Sequence, residues 1–338
     1  MTDDLEPLSP QEGIESFLRH REVSVRQSTL YNSKTRLNFF RAWCAEREIE
    51  NLNELTGRDL ADFVSWRQRD VKPITLQKQV STIRMFLRWA ADIEAVTEGL
   101  AEKVHAPELP DGSEAKDVHI TQEHADELLR YLMRYHRGSR NHVLFSILWR
   151  TGMRRSALRS LDVKDLQPDD HALVLEHRPD TGTHLKNGKD GERWVYLGPH
   201  WYEPINQYLS SPDRHDVTDD HGRRPLITSP YGRPCGTTIY KWITRLTRPC
   251  TFGECPHDRN PRNCEAASGN SGPANDCPSS RSPHAIRRGA ITSHLNNDVS
   301  PELVSERCDV SLGTLYKHYD VRTDREKMAV RKRQMEEF

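Results

Sequence analysis

Between Lys103 and Val118 the chain loses its apolar periodicity and runs through Ala106-Pro107-Glu108-Leu109-Pro110-Asp111-Gly112. Prolines and a glycine in polar text make neither a helix nor a paired strand, so this stretch reads as a linker. It divides the sequence into a first unit at 1–105, a linker at 106–118 and a second unit at 119–338. At 338 residues the chain is long enough for both units to bury a core of their own.

The first unit reads as helical throughout. Ser9-Pro10-Gln11-Glu12 has the form of a capping box with proline at the first helical position, followed by apolar Ile14, Phe17 and Leu18. A second helix begins near Ser28 and turns Leu30, Leu37, Phe40 and Trp43 inward; Thr56-Gly57-Arg58-Asp59 opens a third, with Leu60, Phe63 and Val64 inward. The fourth has the clearest period: Leu76, Val80, Ile83 and Leu87 fall at i, i+4, i+7 and i+11, one face of a helix. Its other face carries Lys78, Arg84 and Arg88, cations suited either to solvent or to a phosphate backbone.

In the second unit Thr121 caps a helix through Leu128, Leu129 and Leu132, and another helix covers roughly Asn141 to Trp149. Two β-prone runs follow, Ala172–Glu176 and Trp194–Leu197, joined by a Gly/Asp/Lys-rich hairpin. The remainder is helical in pattern apart from one long polar insertion at 249–281. The sequence contains no internal repeat. The fold class is therefore mainly α (α+β), a helical domain followed by a mixed domain with a small antiparallel sheet.

Three short stretches, far apart in sequence, carry side chains suited to one phosphate. They are Thr151-Gly152-Met153-Arg154, His284-Ala285-Ile286-Arg287 and Lys317-His318-Tyr319-Asp320. A guanidinium bonds two phosphate oxygens with a rigid fork and keeps its charge at any working pH. His284 and Arg287 stand at i and i+3, so on a helix they share a face. These stretches, in this order, resemble the tyrosine recombinase (phage integrase) family over nearly the whole chain, the first unit resembling that family's core-binding domain. Thr151–Leu158 is similar to its "TGxRxxEL" box and His284–Arg288 to its "HxxRH" box.

The resemblance implies roles. Arg154, with Arg155 as the fallback, and Arg287 would clamp the scissile phosphate, and His284 would bond it or help move the tyrosine proton. Lys186, at the end of the hairpin's first arm, would protonate the leaving 5′ oxygen, with Lys189 as the alternative. Tyr319 would be the nucleophile, because it stands nearer the family's spacing than Tyr316. Arg288 joins Lys78, Arg84 and Arg88 as a residue expected to contact DNA. The reaction implied is site-specific strand exchange through a 3′-phosphotyrosyl intermediate, without a cofactor for the chemistry. The partners implied are double-stranded DNA and a homo-tetramer assembled on it, the segment after Tyr319 with its basic Arg331-Lys332-Arg333 docking on a neighbour. Val310-Ser311 and the tyrosine stretch look like the archaeal, particularly haloarchaeal, branch.

Three positions depart from the family. Ala157 stands where a carboxylate is usual, Arg288 where the last histidine of its box is usual, and Arg307-Cys308-Asp309 where the family has "LGH". An ionised aspartate has no proton to donate and repels phosphate, so Asp309 is expected to be structural, capping the helix that begins near Ser311. These changes leave two rival readings open, a decayed relative that only binds DNA and a type IB-like topoisomerase.

Cysteines in the polar insertion follow the pattern C-x4-C-x8-C-x12-C, as Cys250, Cys255, Cys264 and Cys277. Text so poor in aliphatic residues cannot order itself by apolar burial, and four thiolates around a structural zinc would supply the missing free energy, with His257 able to replace one. Cys44, Cys235 and Cys308 have no partner in sequence and are expected to be buried or inert. The balance of 49 Lys+Arg against 50 Asp+Glu gives a formal net charge of -1, unusual for a nucleic-acid binder. Arginines nevertheless gather around the motifs and from Arg322 to Arg333, while acids gather at Asp216–Asp220. No apolar stretch approaches the ~20 residues that cross a bilayer, and the acidic Met1-Thr2-Asp3-Asp4 is unlike a signal peptide. A cytoplasmic protein with reduced thiols is expected.

Overall fold

The computed structural model describes residues 5–108, 118–268, 273–320 and 322–336. The chain divides into two compact units at residues 116 and 117. Most of the expected linker, 109–117, lies outside the described residues.

In the first unit helices α1 (Pro10–Glu22), α2 (Gln27–Glu46), α3 (Gly57–Gln68) and α4 (Pro73–Asp92) pack around an aromatic core. Leu76, Val80, Ile83 and Leu87 of α4 are all fully buried. Burial of each such side chain stabilises the unit by roughly 1.5–3 kcal/mol. Phe40 meets Phe63 edge to face at 5.4 Å between centroids, the arrangement that ring quadrupoles favour. The α3 capping box is complete, Thr56 bonding the Asp59 amide and Asp59 the Thr56 amide. At α1 Ser9 caps the Glu12 amide at 3.3 Å, but Glu12 returns its bond to the Ser9 hydroxyl at 2.6 Å.

The second unit is built on helix α6 (Arg140–Thr151), buried along almost its whole length. Around it stand α5 (Gln122–Tyr135), α7 (Arg155–Ser160), α8 (Pro199–Leu209), α9 (Gly236–Leu246) and α10 (Pro283–Asn296). Strands β1 (Leu166–Gln167), β2 (Ala172–Leu175) and β3 (Arg193–Tyr196) form an antiparallel sheet in the order β1-β2-β3, with Ala172 opposite Tyr196 and Leu175 opposite Arg193. Helices α11 (Pro301–Cys308), α12 (Leu312–His318) and α13 (Asp324–Glu336) end the chain. Ile291 and Leu295 of α10 join Val304, Cys308, Val310, Leu315 and Tyr319 in a small separate core.

Charge is buried here as well as apolar surface. The carboxylate of Asp162, 2% exposed, takes bonds from Arg178, Arg223 and Arg233, while Arg233 also reaches Asp219 at 2.7 Å. Part of the acidic run at 216–220 is thus consumed internally, since Asp216 pairs with Arg214 and Arg224. Among the described residues no helix is long and apolar enough to cross a membrane.

Candidate active site

Glycine makes the first arginine possible. Helix α6 ends at Gly152 in the left-handed region, φ +60°, and a Cβ there would meet the Cys308 Sγ at 2.8 Å. Thr151 is buried, its hydroxyl donating to the Ile147 carbonyl at 2.6 Å and accepting from the Met153 amide at 3.2 Å. The chain thereby turns sharply, and Arg154 emerges as the N-cap of α7 in extended conformation.

The second arginine comes from α10, which Ser282 caps at the Ala285 amide and Pro283 opens. Arg287 is 1% exposed. Its Nη1 donates to the carbonyls of Gly152 (2.8 Å) and Cys308 (2.5 Å), and its Nη2 to that of Asp309 (3.4 Å). One turn earlier, His284 opens to the cleft. Desolvation by the surrounding wall, then the charges of Arg287, Arg288, Arg154 and Lys186, hold its imidazole below the ordinary histidine value.

Tyr319 follows α12 as its C-cap residue and is only 7% exposed. Its amide donates to Leu315 (2.9 Å) and its carbonyl accepts from the Thr292 hydroxyl (3.2 Å). Its ring centroid lies 5.5 Å from that of His284 and 5.0 Å from the Arg287 guanidinium carbon. Immediately after it Arg322 clasps Asp320 at 2.7 and 2.9 Å. Tyr316 is half exposed and does not line the cleft.

Arg154, Lys186, His284, Arg287 and Tyr319 all line one cleft of ≈ 380 Å³, together with Arg155, Ser156, Tyr240, Ser282 and Pro283. Lys186 arrives differently from the expectation. It lies not at the end of β2, which closes at Leu175, but eleven residues further along a loop of short 3-10 turns. Buried Leu185 anchors this loop, its amide donating to His177 Nδ1 at 3.1 Å.

Asp309 also departs from the expectation. The cap of α12 is Ser311, which accepts from the Thr314 amide; Asp309 closes α11 instead, in the left-handed region with φ +55°. Its carboxylate pairs with Arg154 and accepts from the Asn187 side-chain amide at 2.6 Å. Asn187 and Tyr240 carried no signal in the sequence, lying outside the arginine, histidine and tyrosine stretches, and Ser156 stands within Thr151–Leu158 at a position given no role.

The residues expected at a DNA surface differ in their surroundings within each unit. Lys78 and Arg84 line a shallow cavity of ≈ 460 Å³ beside α4. Arg84 donates to the Val104 carbonyl at 2.9 and 2.6 Å, and Arg88 pairs with Glu102 at 3.1 Å. Arg288 is buried in α10, 4% exposed. In the basic tail Arg333 pairs with Asp298 at 2.8 Å.

Among the described residues, no group of three or more His, Cys, Asp or Glu side chains stands ready to hold a metal ion, the four insertion cysteines included. Cys250 lies in a short 3-10 turn and Cys255 in irregular chain, while Cys264 and Cys277 border 3-10 turns that pack on one another, the last of them also on α9. Desolvation first, then nearby Cys277 and Cys255, push the Cys250 thiol up. Cys44 and Cys308 are buried, whereas Cys235 is exposed. Its thiol is pushed down, chiefly by its hydrogen bond with Thr238, so that cysteine is not inert by burial.

In the second unit one cleft joins two arginines, a lysine, a histidine and a tyrosine, side chains of the kinds suited to holding and attacking a phosphate. A family model described as "Phage integrase, N-terminal SAM-like domain" matches residues 14–93. The curated tyrosine recombinase XerC of Treponema denticola is 28% identical over 217 residues, 62% of this chain and 65% of the relative. XerC of Salmonella typhi is 22% identical over 59% of this chain and 66% of its own. The chain thus spans just under two thirds of the length of these relatives. Among solved structures, the Tn1549 transposon integrase with circular intermediate DNA superposes with a TM-score of 0.67 at 16% identity, over 97% of this chain and 99% of that one. A lambda integrase dimer bound to a COC' core site gives 0.64 at 12%, over 94% and 79%. At such identities the likeness is one of fold. Residues 14–93 match the N-terminal domain of phage integrases, and the chain is similar to curated tyrosine recombinases.

Proposed function

We propose that this protein is a site-specific DNA recombinase that cuts and rejoins strands through a covalent tyrosine–DNA intermediate. The observation that carries the reading is the convergence of Arg154, Lys186, His284, Arg287 and Tyr319, from separate segments, on one cleft. In the proposed reaction the Tyr319 phenol oxygen attacks the phosphorus and the P–O5′ bond breaks. The phenol proton passes to neutral His284, and the Lys186 ammonium supplies a proton to the departing 5′ oxygen. Arg154 and Arg287 stabilise the charge that grows on the nonbridging oxygens, where preplaced donors act most strongly. The phosphotyrosyl bond conserves the energy of the broken one, so neither ATP nor a metal enters the chemistry.

On this reading the first unit holds DNA through Lys78, Arg84 and Arg88, and the second does the chemistry. Strand exchange between two duplexes calls for four protomers, and the substrate places the protein in the cytoplasm. Val310-Ser311 and the Lys317–Asp320 stretch support a haloarchaeal origin. For the insertion, the nearness of Cys277 and Cys255 to the Cys250 thiol supports a structural zinc on Cys250, Cys255, Cys264 and Cys277, drawn together on binding. Metal analysis of freshly purified, reduced protein should find about one zinc per chain; none would overturn that part alone.

The deciding experiment is incubation with a nicked suicide duplex followed by a denaturing gel. A covalent adduct, with recombinant products from two-duplex substrates, supports the reading. No adduct leaves a DNA-binding relative, and relaxation of supercoiled plasmid without exchange leaves a topoisomerase.

A further inference from the structure

We infer that Asp309 is a positioning residue that fastens the lysine-bearing loop to the first arginine, an inference that rests on the recombinase reading. Its two carboxylate oxygens are divided between two partners. Oδ2 takes Nη1 of Arg154, and Oδ1 takes Nδ2 of Asn187 at 2.6 Å. Asn187 directly follows Lys186, so the bond fixes the backbone next to that lysine. The pair is well shielded, the side chains of Arg154 and Asp309 being 20% and 13% exposed, which strengthens it relative to a surface ion pair.

Three further facts assign the role. Arg154, Lys186 and Arg287 line the cleft while Asp309 does not, so the carboxylate stands behind the arginine rather than in the phosphate's place. With Nη1 committed to Asp309, the remaining nitrogens of Arg154 are those left for a phosphate. The same loop is tied to α11 a second time, Arg193 donating to the Arg307 carbonyl at 3.0 Å and to the Gly191 carbonyl at 2.8 Å. Asp309 itself is held in its left-handed turn at the end of α11, its amide bonded to the Glu306 carbonyl at 3.1 Å. A carboxylate here therefore does through Arg154 and Asn187 what it cannot do to a phosphate directly. It presets the distance between the arginine that binds the nonbridging oxygens and the lysine that serves the leaving oxygen. Reacting groups held this way gain rate by orientation, and a displacement of about 1 Å can cost on the order of 100-fold.

The test uses two nicked substrates, one ordinary and one with sulfur in place of the bridging 5′ oxygen. A thiolate leaves without a proton, so the second substrate bypasses the lysine. Asn187→Ala and Asp309→Ala should bind DNA as wild type does, and Lys186→Ala and Arg154→Ala in full-length protein serve as the comparison. On the ordinary substrate Asn187→Ala should form adduct on the order of 10-fold more slowly or worse, and on the sulfur substrate at close to the wild-type rate, as Lys186→Ala should. Asp309→Ala should be rescued only in part, because its Arg154 contact is lost too. The double variant should be no slower than Asp309→Ala, since Asn187 acts through that carboxylate. Equal defects of Asn187→Ala on both substrates, or no defect on either, would overturn the inference while wild-type adduct kept the recombinase reading intact. Absence of adduct from wild type on both substrates would sink both together.

Discussion

Arg287 places its guanidinium carbon 5.0 Å from the centroid of the Tyr319 ring while its Nη1 is held by the carbonyls of Gly152 and Cys308. One side chain therefore joins the end of α6, the end of α11 and the tyrosine. Its burial gives the cation to the cleft wall and the hydrogen bonds to the fold.

Because of that double duty, the two arginines should separate when truncated. Arg287→Ala leaves buried carbonyls without donors and should destabilise the protein by about 2–4 kcal/mol as well as abolish cleavage. Arg154→Ala, whose partly exposed side chain pairs with a carboxylate that keeps its bond to Asn187, should abolish cleavage with a smaller loss of stability. Both should retain most DNA binding, since the transition state carries more charge than the bound ground state. Urea titrations beside adduct assays check this; equal melting shifts for the two would show that Arg287 has no such structural role.

Tyr319→Phe should bind DNA normally and form no adduct, whereas Tyr316→Phe should form it. Of these two tyrosines Tyr319 alone lines the cleft, and the Asp320–Arg322 clasp follows it directly. Adduct from both single variants would remove Tyr319 from the chemistry.

The helices were legible because apolar side chains return on one face, as with Leu76, Val80, Ile83 and Leu87, and because caps such as Thr56 and Thr121 announce themselves locally. Arg154, His284, Arg287 and Tyr319 stood out as residue types at recognisable spacings. The bridge from Asp309 to Asn187 was not legible, because it joins positions 122 apart and neither neighbourhood hints at the other. Loop geometry hid the true place of Lys186 for a similar reason, as buried Leu185 and His177 set its course rather than strand pairing. In the polar insertion, regular cysteine spacing invited a metal reading that spacing alone cannot carry.

Gly289 in α10 should tolerate no side chain. A Cβ there would lie 2.1 Å from the carbonyl oxygen of Ile120, a residue whose amide also donates to the Ala285 carbonyl at 3.2 Å. Backbone cannot swing aside as a side chain can. Gly289→Ala should cost roughly 1–3 kcal/mol or more by overpacking, against the usual gain from alanine in a helix. A denaturation midpoint at or above wild type would contradict this close approach.

Acid should weaken the second unit through two histidines, His142 and His294. His142 is 1% exposed, and desolvation, then Arg137 and His200, push it down to about 4. Its Nδ1 accepts from the Gly138 amide at 3.3 Å, a bond that only the unprotonated nitrogen can take. His294, half-buried and bonded to the Arg150 carbonyl, is likewise pushed to about 4 by desolvation and then by Arg307 and Arg150. In the unfolded chain both titrate near 6.5. Above that value neither state binds the proton and the native stability is fully present. As pH falls from about 6.5 towards 4, the unfolded chain gains protons that the folded one refuses. Stability should therefore decline, by up to about 1.4 kcal/mol per pH unit for each histidine, with less from the more accessible His294. Urea midpoints at pH 7, 6 and 5 measure the slope. His142→Asn keeps an acceptor for the Gly138 amide but cannot titrate, so its midpoint should fall less steeply than wild type. Parallel slopes for the two proteins would show that His142 takes up its proton alike in the folded and unfolded chains, and the buried neutral imidazole would have to be abandoned.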